Sequence, residues 1–280
     1  MELSVITDEI SMDFGHALDV MLEHGVKSAE LRSLWGANIV DLPDEEIGRA
    51  KSALDSREMT VSCIASPLFK CELSESWGSS TGRTHQAKER GLHEQVAVLD
   101  RCIHLASVFD TQFIRVFSFW RRGELTENIE AEIVRAFEEP AVRAEKANVI
   151  LGLENEHACY LGTGEEIGRV IRAVNSPALR AVWDPGNAFC AHEVPYPDGY
   201  EAVKDFIVHV HVKDAVWEDD KPKFVCIGDG DIDYVGQFRA LEADGYEGYL
   251  SLETHYKPGG AAEEGSRQCL ASLREMLDKK

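Results

Sequence analysis

The sequence predicts a single closed (β/α)8 barrel, the TIM-barrel class of α/β fold, from three observations. Eight short β-branched or aromatic runs alternate with longer segments of helical period from end to end, the pattern of a parallel sheet with helical crossovers. The 280 residues divide into eight units of 35, which suits a barrel of about 250 residues with one or two long loops. No GxGxxG follows the first strand and no GxxxxGK occurs anywhere, so the open nucleotide-binding sheets lack their phosphate cradles.

The expected strands are residues 3–10, 28–33, 60–67, 113–120, 149–155, 179–185, 207–214 and 248–255. The first helix, 13–24, carries Phe14, Ala17, Leu18, Met21 and Leu22 at helical spacing, with Gly25 as its stop. Residues 44–56 open with acids at the positive end of the helix dipole. Further helices are expected over 83–109, 126–148, 163–174, 200–205, 233–244 and 260–278, with Thr163 capping the fifth. No composition break or low-complexity linker divides the chain, so residues 1–280 read as one domain. The most loop-like stretch, 71–84, follows the third strand, where it is either part of the active-site face or a disordered insertion.

Composition narrows the function classes. With 44% hydrophobic and 28% charged residues the chain can bury a sizeable core. Its 50 acids against 29 bases give a net charge of −21. Such a surface repels a phosphate backbone and an acidic membrane alike, so neither nucleic acid nor membrane is expected as a partner. Seven scattered cysteines without a CxxC pair signal neither a disulfide framework nor a thiolate zinc site. The N-terminus has acids where a signal peptide needs bases, and no run reaches the 18 or so apolar residues of a membrane span. A cytoplasmic protein with reduced thiols is the expectation.

In a barrel of this kind the chemistry sits at the C-terminal ends of the strands. There the sequence places Glu154, Asp184, His211 and Glu253, on strands five to eight. Three carboxylates and an imidazole converging in one mouth would repel without a cation, and they suit Mn²⁺, Mg²⁺, Co²⁺ or Zn²⁺. Alternation sends His209 and His211 to the same side of their strand. His211 is nearer the rim and is the better ligand, while His209 is expected to pack below it.

The motifs LGLENEH at 151–157, VWDPGN at 182–187, HVHVKDA at 209–215, GDGDIDY at 228–234 and GYLSLETH at 248–255, with ITDEIS and AELR on the first two strands, resemble the xylose-isomerase-like TIM-barrel superfamily. That superfamily holds sugar-phosphate isomerases and epimerases, inosose dehydratases and endonuclease IV. The resemblance implies that Glu154, Asp184, His211 and Glu253 bind one divalent metal. It also implies that Glu154 and Glu253 move the protons, one taking the proton beside the carbonyl and the other returning it from the opposite face, with the metal stabilising an enediolate. Enzymes like D-tagatose 3-epimerase carry three further substrate contacts at positions where this chain has Tyr160, Asn187 and Trp217, so the resemblance to that member is partial.

Further pocket candidates are Asn187, Lys213 and His157, and Arg32 and Arg115, whose guanidinium groups could hold a substrate carboxylate or phosphate. For Lys213 the alternative is a salt bridge with Asp214 or a neighbour, and for the arginines it is pairing with a barrel acid such as Glu9 or Glu30. Trp35, Phe69, Phe119, Trp120 and Trp217 fall near strand ends as pocket walls or core, and His192 and His255 add polar groups near the proposed metal. The N-terminal half offers only His16, His24, His85, His93 and His104, all in helical or loop segments, so a trinuclear cluster like that of endonuclease IV is not supported. The expected function is a metal-dependent isomerase or epimerase of a sugar or related polyhydroxy carbonyl compound. The alternative is a dehydratase of the inosose or 3-dehydroshikimate type, with a DNA-repair enzyme disfavoured by charge; the small-molecule substrate is the expected partner, and a homo-oligomer is left open.

Overall fold

Period-two alternation decides which side chains fill this barrel and which face its helices. The structure, a computed structural model, describes residues 1–78 and 84–278. Its eight barrel strands are β1 (Glu2–Ile6), β2 (Ser28–Leu31), β3 (Thr60–Ile64), β4 (Phe113–Val116), β5 (Ile150–Glu154), β6 (Leu179–Trp183), β7 (Ile207–Val212) and β8 (Tyr249–Leu252). They pair in parallel in sequence order, and β8 pairs with β1 to close the barrel with Ser251 opposite Ser4. The (β/α)8 expectation is therefore borne out.

Around the barrel lie α1 (Phe14–Glu23), α2 (Asp44–Asp55), α3 (Gln95–Phe109), α4 (Glu127–Lys146), α5 (Gly164–Val174), α6 (Pro185–Cys190), α7 (Tyr200–Val203), α8 (Tyr234–Ala243) and α9 (Ala262–Asp278). Leu151, Leu153, Val210, Val212, Leu250 and Leu252 are fully buried in the apolar core. The alternate residues turn inward, among them Ser4, Glu30, Arg115, His209, His211 and Ser251. Ser4 and Ser62 meet at 2.7 Å although β1 and β3 are not neighbours, so this contact crosses the barrel interior. All seven cysteines are free and buried, and no helix among the described residues is long and apolar enough to cross a membrane.

Local sequence explains where the elements begin. Asp13 accepts from the His16 amide at the start of α1, and Thr163 and Glu166 form a capping box at α5. Asp184 caps α6 by accepting from the Asn187 amide at 2.8 Å, with Pro185 in the first turn. The motif VWDPGN is thus a strand end, a cap and a helix start in six residues.

The structure corrects several boundaries. Every barrel strand ends one to four residues before its expected limit, because the chain leaves the ladder at the mouth and its last residues become loop. The helix expected over 83–109 is only Gln95–Phe109, preceded by a short turn at Leu92–Glu94; Arg83 lies outside the described residues, as do 79–82 of the loop-like stretch. Three elements went unread: α6, and the hairpins pairing Ser33–Leu34 with Ala37–Asn38 and Asp214–Glu218 with Lys221–Val225.

The longer hairpin is pinned by one buried carboxylate. Asp214 accepts from the amides of Ala215, Gly228, Gly230 and Ile232 at 2.9 to 3.4 Å, which folds GDGDIDY back against the start of the hairpin. A Cβ on Gly230 would lie 2.0 Å from Asp214 Oδ1.

A tight contact inside the barrel supplies a test of this packing. A Cβ at Gly152 on β5 would come within 2.5 Å of Val182 Cγ2 on β6. Gly152→Ala should therefore cost about 1–3 kcal/mol as an overpacked core position, read as a lowered melting temperature; unchanged stability would refute the packing described.

Candidate active site

Four consecutive strand ends bring four side chains to one point. Glu154 closes β5, Asp184 follows β6, His211 lies near the end of β7, and Glu253 follows β8 with its amide donating to the Val212 carbonyl at 3.1 Å. One potential donor atom from each lies within 4.8 Å of the others. His211 Nδ1 is 3.1 Å from Glu154, 3.6 Å from Glu253 and 3.9 Å from Asp184. All four side chains are buried.

Beneath them lies a second layer. Glu30, from β2, crosses the barrel and places one oxygen 2.8 Å from His209 Nε2 and the other 3.0 Å from His211 Nε2. His209 packs below the mouth, as its place in the alternation predicts, and Glu30 holds His211 with Nδ1 turned toward the three carboxylates. Of the acids in this site, Glu30 was read only as an alternative partner for an arginine.

Cations close the remaining sides. Lys213 Nζ lies 2.7 Å from Asp184 and 2.8 Å from Glu253. Arg32 donates to Asp8, Glu9 and Glu253 at once, so three protein carboxylates surround its guanidinium. Arg115 Nη1 is 3.4 Å from Glu154 Oε2, and Nη2 reaches the carbonyls of Ala65 and Ser66.

These neighbours set the protonation states. Burial pushes the Asp184 carboxyl up, helped by Glu154 and Glu253 and opposed by Lys213. Burial also pushes Glu253 up, but Lys213, His255 and Arg32 outweigh it and hold this carboxyl well below the usual range. His211 is held well above the ordinary imidazole range, since Glu30 and Glu154 overcome the burial that opposes its charge.

The donor set fits a divalent cation. Oxygen and imidazole donors suit Zn²⁺, Mn²⁺, Mg²⁺ or Co²⁺. Glu154 Oε2 and Asp184 Oδ2 are buried with no hydrogen bond of proper geometry, so each keeps acceptor capacity facing the cluster.

The cluster opens onto a cavity of about 580 Å³, within the roughly 300–1,000 Å³ of small-molecule sites. Glu154, Glu253, Lys213, Asn187, Arg115 and His157 all line it. Asn187 Nδ2 donates to Glu154 at 3.1 Å, and its oxygen lies 3.3 Å from His157 Nδ1. A neighbouring cavity of about 450 Å³ is lined by Asp8, Glu9 and Arg32, and both cavities share His85, His255 and Lys257 as walls.

With this geometry in place, the family profile described as xylose isomerase-like TIM barrel matches residues 18–276. The chain belongs to the xylose isomerase-like TIM barrel family. Among curated proteins no relative matches it. Solved structures of the same fold include the probable 3-DHS dehydratase AsbF of Bacillus anthracis, at TM-score 0.75 and 16% identity over 98% of this chain and 99% of that one. D-allulose 3-epimerase from Methylomonas sp., in complex with D-allulose, aligns at 0.74 and 14%, covering 99% and 97%. The IOLI protein with a binding zinc atom aligns at 0.77 and 17%, covering 100% and 99%. At these identities the likeness is one of fold.

Within this xylose isomerase-like barrel, the structure decides between several alternatives that the sequence left open. Arg32 does not line the cavity beside the cluster; Asp8, Glu9 and Glu253 take its donors. Of the five aromatic candidates only Trp120 lines that cavity. Phe69 and Phe119 pack with Phe137 of α4, Trp35 packs on Phe14, and Trp217 stacks on His192 at 4.4 Å, which also takes His192 out of the pocket. Tyr160 and Trp217 line neither cavity.

Sequence reasoning missed Lys70, Glu156, Phe117 and His85, all on the cavity wall. Lys70 is buried, 2.9 Å from Glu156 and 4.2 Å from the centre of the Phe117 ring. Glu156 stood inside the quoted motif LGLENEH, two residues after Glu154. Lys70 had no such signal, because it reaches the mouth from the loop after β3. His85 is kept neutral, its pKa well below the ordinary value through burial and then Arg32, Lys70 and Arg115.

Two outcomes follow from these contacts. Glu30 accepts from two histidines, whereas an amide offers one acceptor and one donor, so Glu30→Gln should lower the protein's stability by about 1–3 kcal/mol, seen as an earlier denaturant midpoint; an unmoved midpoint would remove Glu30 from this role. Glu156, pushed up by burial but held at about 2 by Lys70 and His157, has a folded pKa below its unfolded value of about 4.3. Its stabilisation is then present above about pH 5 and lost toward pH 2. Between those limits wild type should lose more melting temperature than Glu156→Gln; parallel losses would contradict the pairing.

Proposed function

We propose that this protein is a divalent-metal-dependent isomerase or epimerase of a sugar or related polyhydroxy carbonyl compound, moving a proton at the carbon beside the carbonyl. The observation that carries the reading is the cluster of Glu154, Asp184, His211 and Glu253, of which Glu154 and Glu253 line a cavity of about 580 Å³. These four residues would hold the metal, which when bound supplies Lewis acidity to substrate oxygens that gain negative charge.

The chain's own groups supply the rest. Glu253 stands ionised, since Lys213, His255 and Arg32 overcome the effect of its burial, and so can take a proton. Glu154 enters the cavity from β5, three strands round from β8, and can return a proton from another side. Lys213 offers an ammonium beside both Asp184 and Glu253, placed to donate to an oxygen of the enediolate. Asn187 and His157 offer hydrogen bonds to hydroxyl groups.

A second reading, elimination of a β-hydroxyl after the same proton abstraction, is favoured by one observation. Tyr160 and Trp217, at positions where D-tagatose 3-epimerase-like enzymes carry substrate contacts, are absent from the cavity wall, whereas His157 stands there 3.1 Å from Glu156 and can protonate a leaving hydroxyl.

Metal analysis of the purified protein should find one divalent ion per chain. With ketoses and cyclic polyhydroxy ketones as substrates, solvent deuterium should enter at the carbon beside the carbonyl, and elimination is recognised by the enone product. Glu154→Gln and Glu253→Gln should each lower that exchange by about 10²- to 10⁴-fold or more while metal is retained. Wild-type exchange in both metal-loaded variants would sink the assignment.

A further inference from the structure

The wall of the main cavity has a charge pattern opposite to that of the chain. The protein carries 50 acids against 29 bases, yet the cavity is lined by Lys70, Arg115, Lys213 and Lys257 against three glutamates. Lys213 is paired with Asp184 and Glu253 beside the reacting carbon's proposed base. Lys257 has no ion-pair partner among the described residues.

Arg115 is the informative member. It is 1% exposed, and its Nε has no hydrogen-bond partner. Nη2 meets only carbonyl oxygens at 3.2 and 3.4 Å. Its one carboxylate among the described residues is Glu154 at 3.4 Å, a group the proposed metal also requires. A buried guanidinium left with an unmet donor is costly, and an oxygen anion brought by a ligand removes that cost.

Lys70 is a second cation on the same aromatic ring. The Phe117 ring has Lys70 Nζ 4.2 Å and Arg115 Cζ 4.6 Å from its centre. Lys70 is further held near Trp120 and shares Glu156, its one carboxylate among the described residues, with His157. Two cations fixed on one ring by stacking lose little freedom when an anion arrives.

We propose that this cavity selects substrates that carry an anionic group, a carboxylate or a phosphate ester, bound by Arg115 and Lys70 beside Phe117. This rests on the reading of the site as one for polyhydroxy carbonyl compounds and names the class among them.

Binding is measured by calorimetry on Mn²⁺-loaded and metal-free protein with matched probes: quinate against myo-inositol for the carboxylate, and fructose 6-phosphate against fructose for the ester. At least one anion should bind about tenfold or more tightly than its neutral partner, and the arm that does so identifies the source. Arg115→Met should erase the preference. Because a buried arginine variant can fail to fold, Lys70→Met combined with Glu156→Gln, which leaves no carboxylate unpaired, should reduce the same preference. Equal affinity within both pairs, no binding by either anion at millimolar concentration, or a preference that survives both variants overturns the proposal. A protein that takes up no metal refutes the metal-dependent reading instead, and the anion preference is still read on the metal-free protein.

Discussion

Six carboxylates, Asp8, Glu9, Glu30, Glu154, Asp184 and Glu253, are buried within the mouth of one barrel, and the rest of the site is arranged around neutralising them. Buried charge is tolerated only when paired and hydrogen-bonded. Arg32, Arg115 and Lys213 are the permanent cations in contact with this set, three against six. Protonation of His211, favoured by Glu30 and Glu154, adds a fourth positive charge in the metal-free state. A divalent cation would make up most of the difference, and it would sit where Glu154 and Asp184 each have an oxygen without a proper hydrogen bond.

Barrel topology makes such a concentration of charge possible. Each strand contributes its inward residues at a fixed height, so Glu30 of β2 can meet His209 and His211 of β7 across the interior. The outward residues meanwhile build a continuous apolar layer against the helices, and that layer carries the burial on which the barrel depends. Polar contacts such as Ser4 to Ser62 line the interior without disturbing it. The division of labour is set by alternation, and the site inherits its rigidity from strands rather than loops.

That division also explains what could be read in advance. Strand cores and the four convergent residues were legible because each lies in or directly after a run whose alternation is strong. Strand ends were read too long because the same apolar residues continue into the loops: Leu68, Phe69 and Cys71 accept from the amides of Phe117, Phe119 and Trp120 outside the named strands. The segment before α3 keeps a helical pattern of residues, but it turns at His85, whose carbonyl accepts from Ser33 and Asn38 and whose φ is +50°. Lys70 was illegible because the loop that carries it is placed by pairing with residues almost fifty positions away, which no local period records.

Arg32 and Arg115 show how far residue type alone underdetermines role. Both are arginines on or just after a barrel strand, both are buried, and both touch a glutamate of the cluster. Arg32 meets three carboxylates, Asp8, Glu9 and Glu253, so its charge is spent on holding them. Arg115 meets one carboxylate among the described residues, at 3.4 Å, its Nε has no hydrogen-bond partner there, and its side chain lines the cavity. The difference arises from neighbours: β2 stands beside the loop bearing Asp8 and Glu9, while β4 stands beside β3, whose following residues Ala65 and Ser66 offer carbonyls. On the proposed reading a guanidinium held by three carboxylates is scaffold and one with an unmet donor is recognition, so the degree of pairing would separate the two more sharply than position on the barrel does.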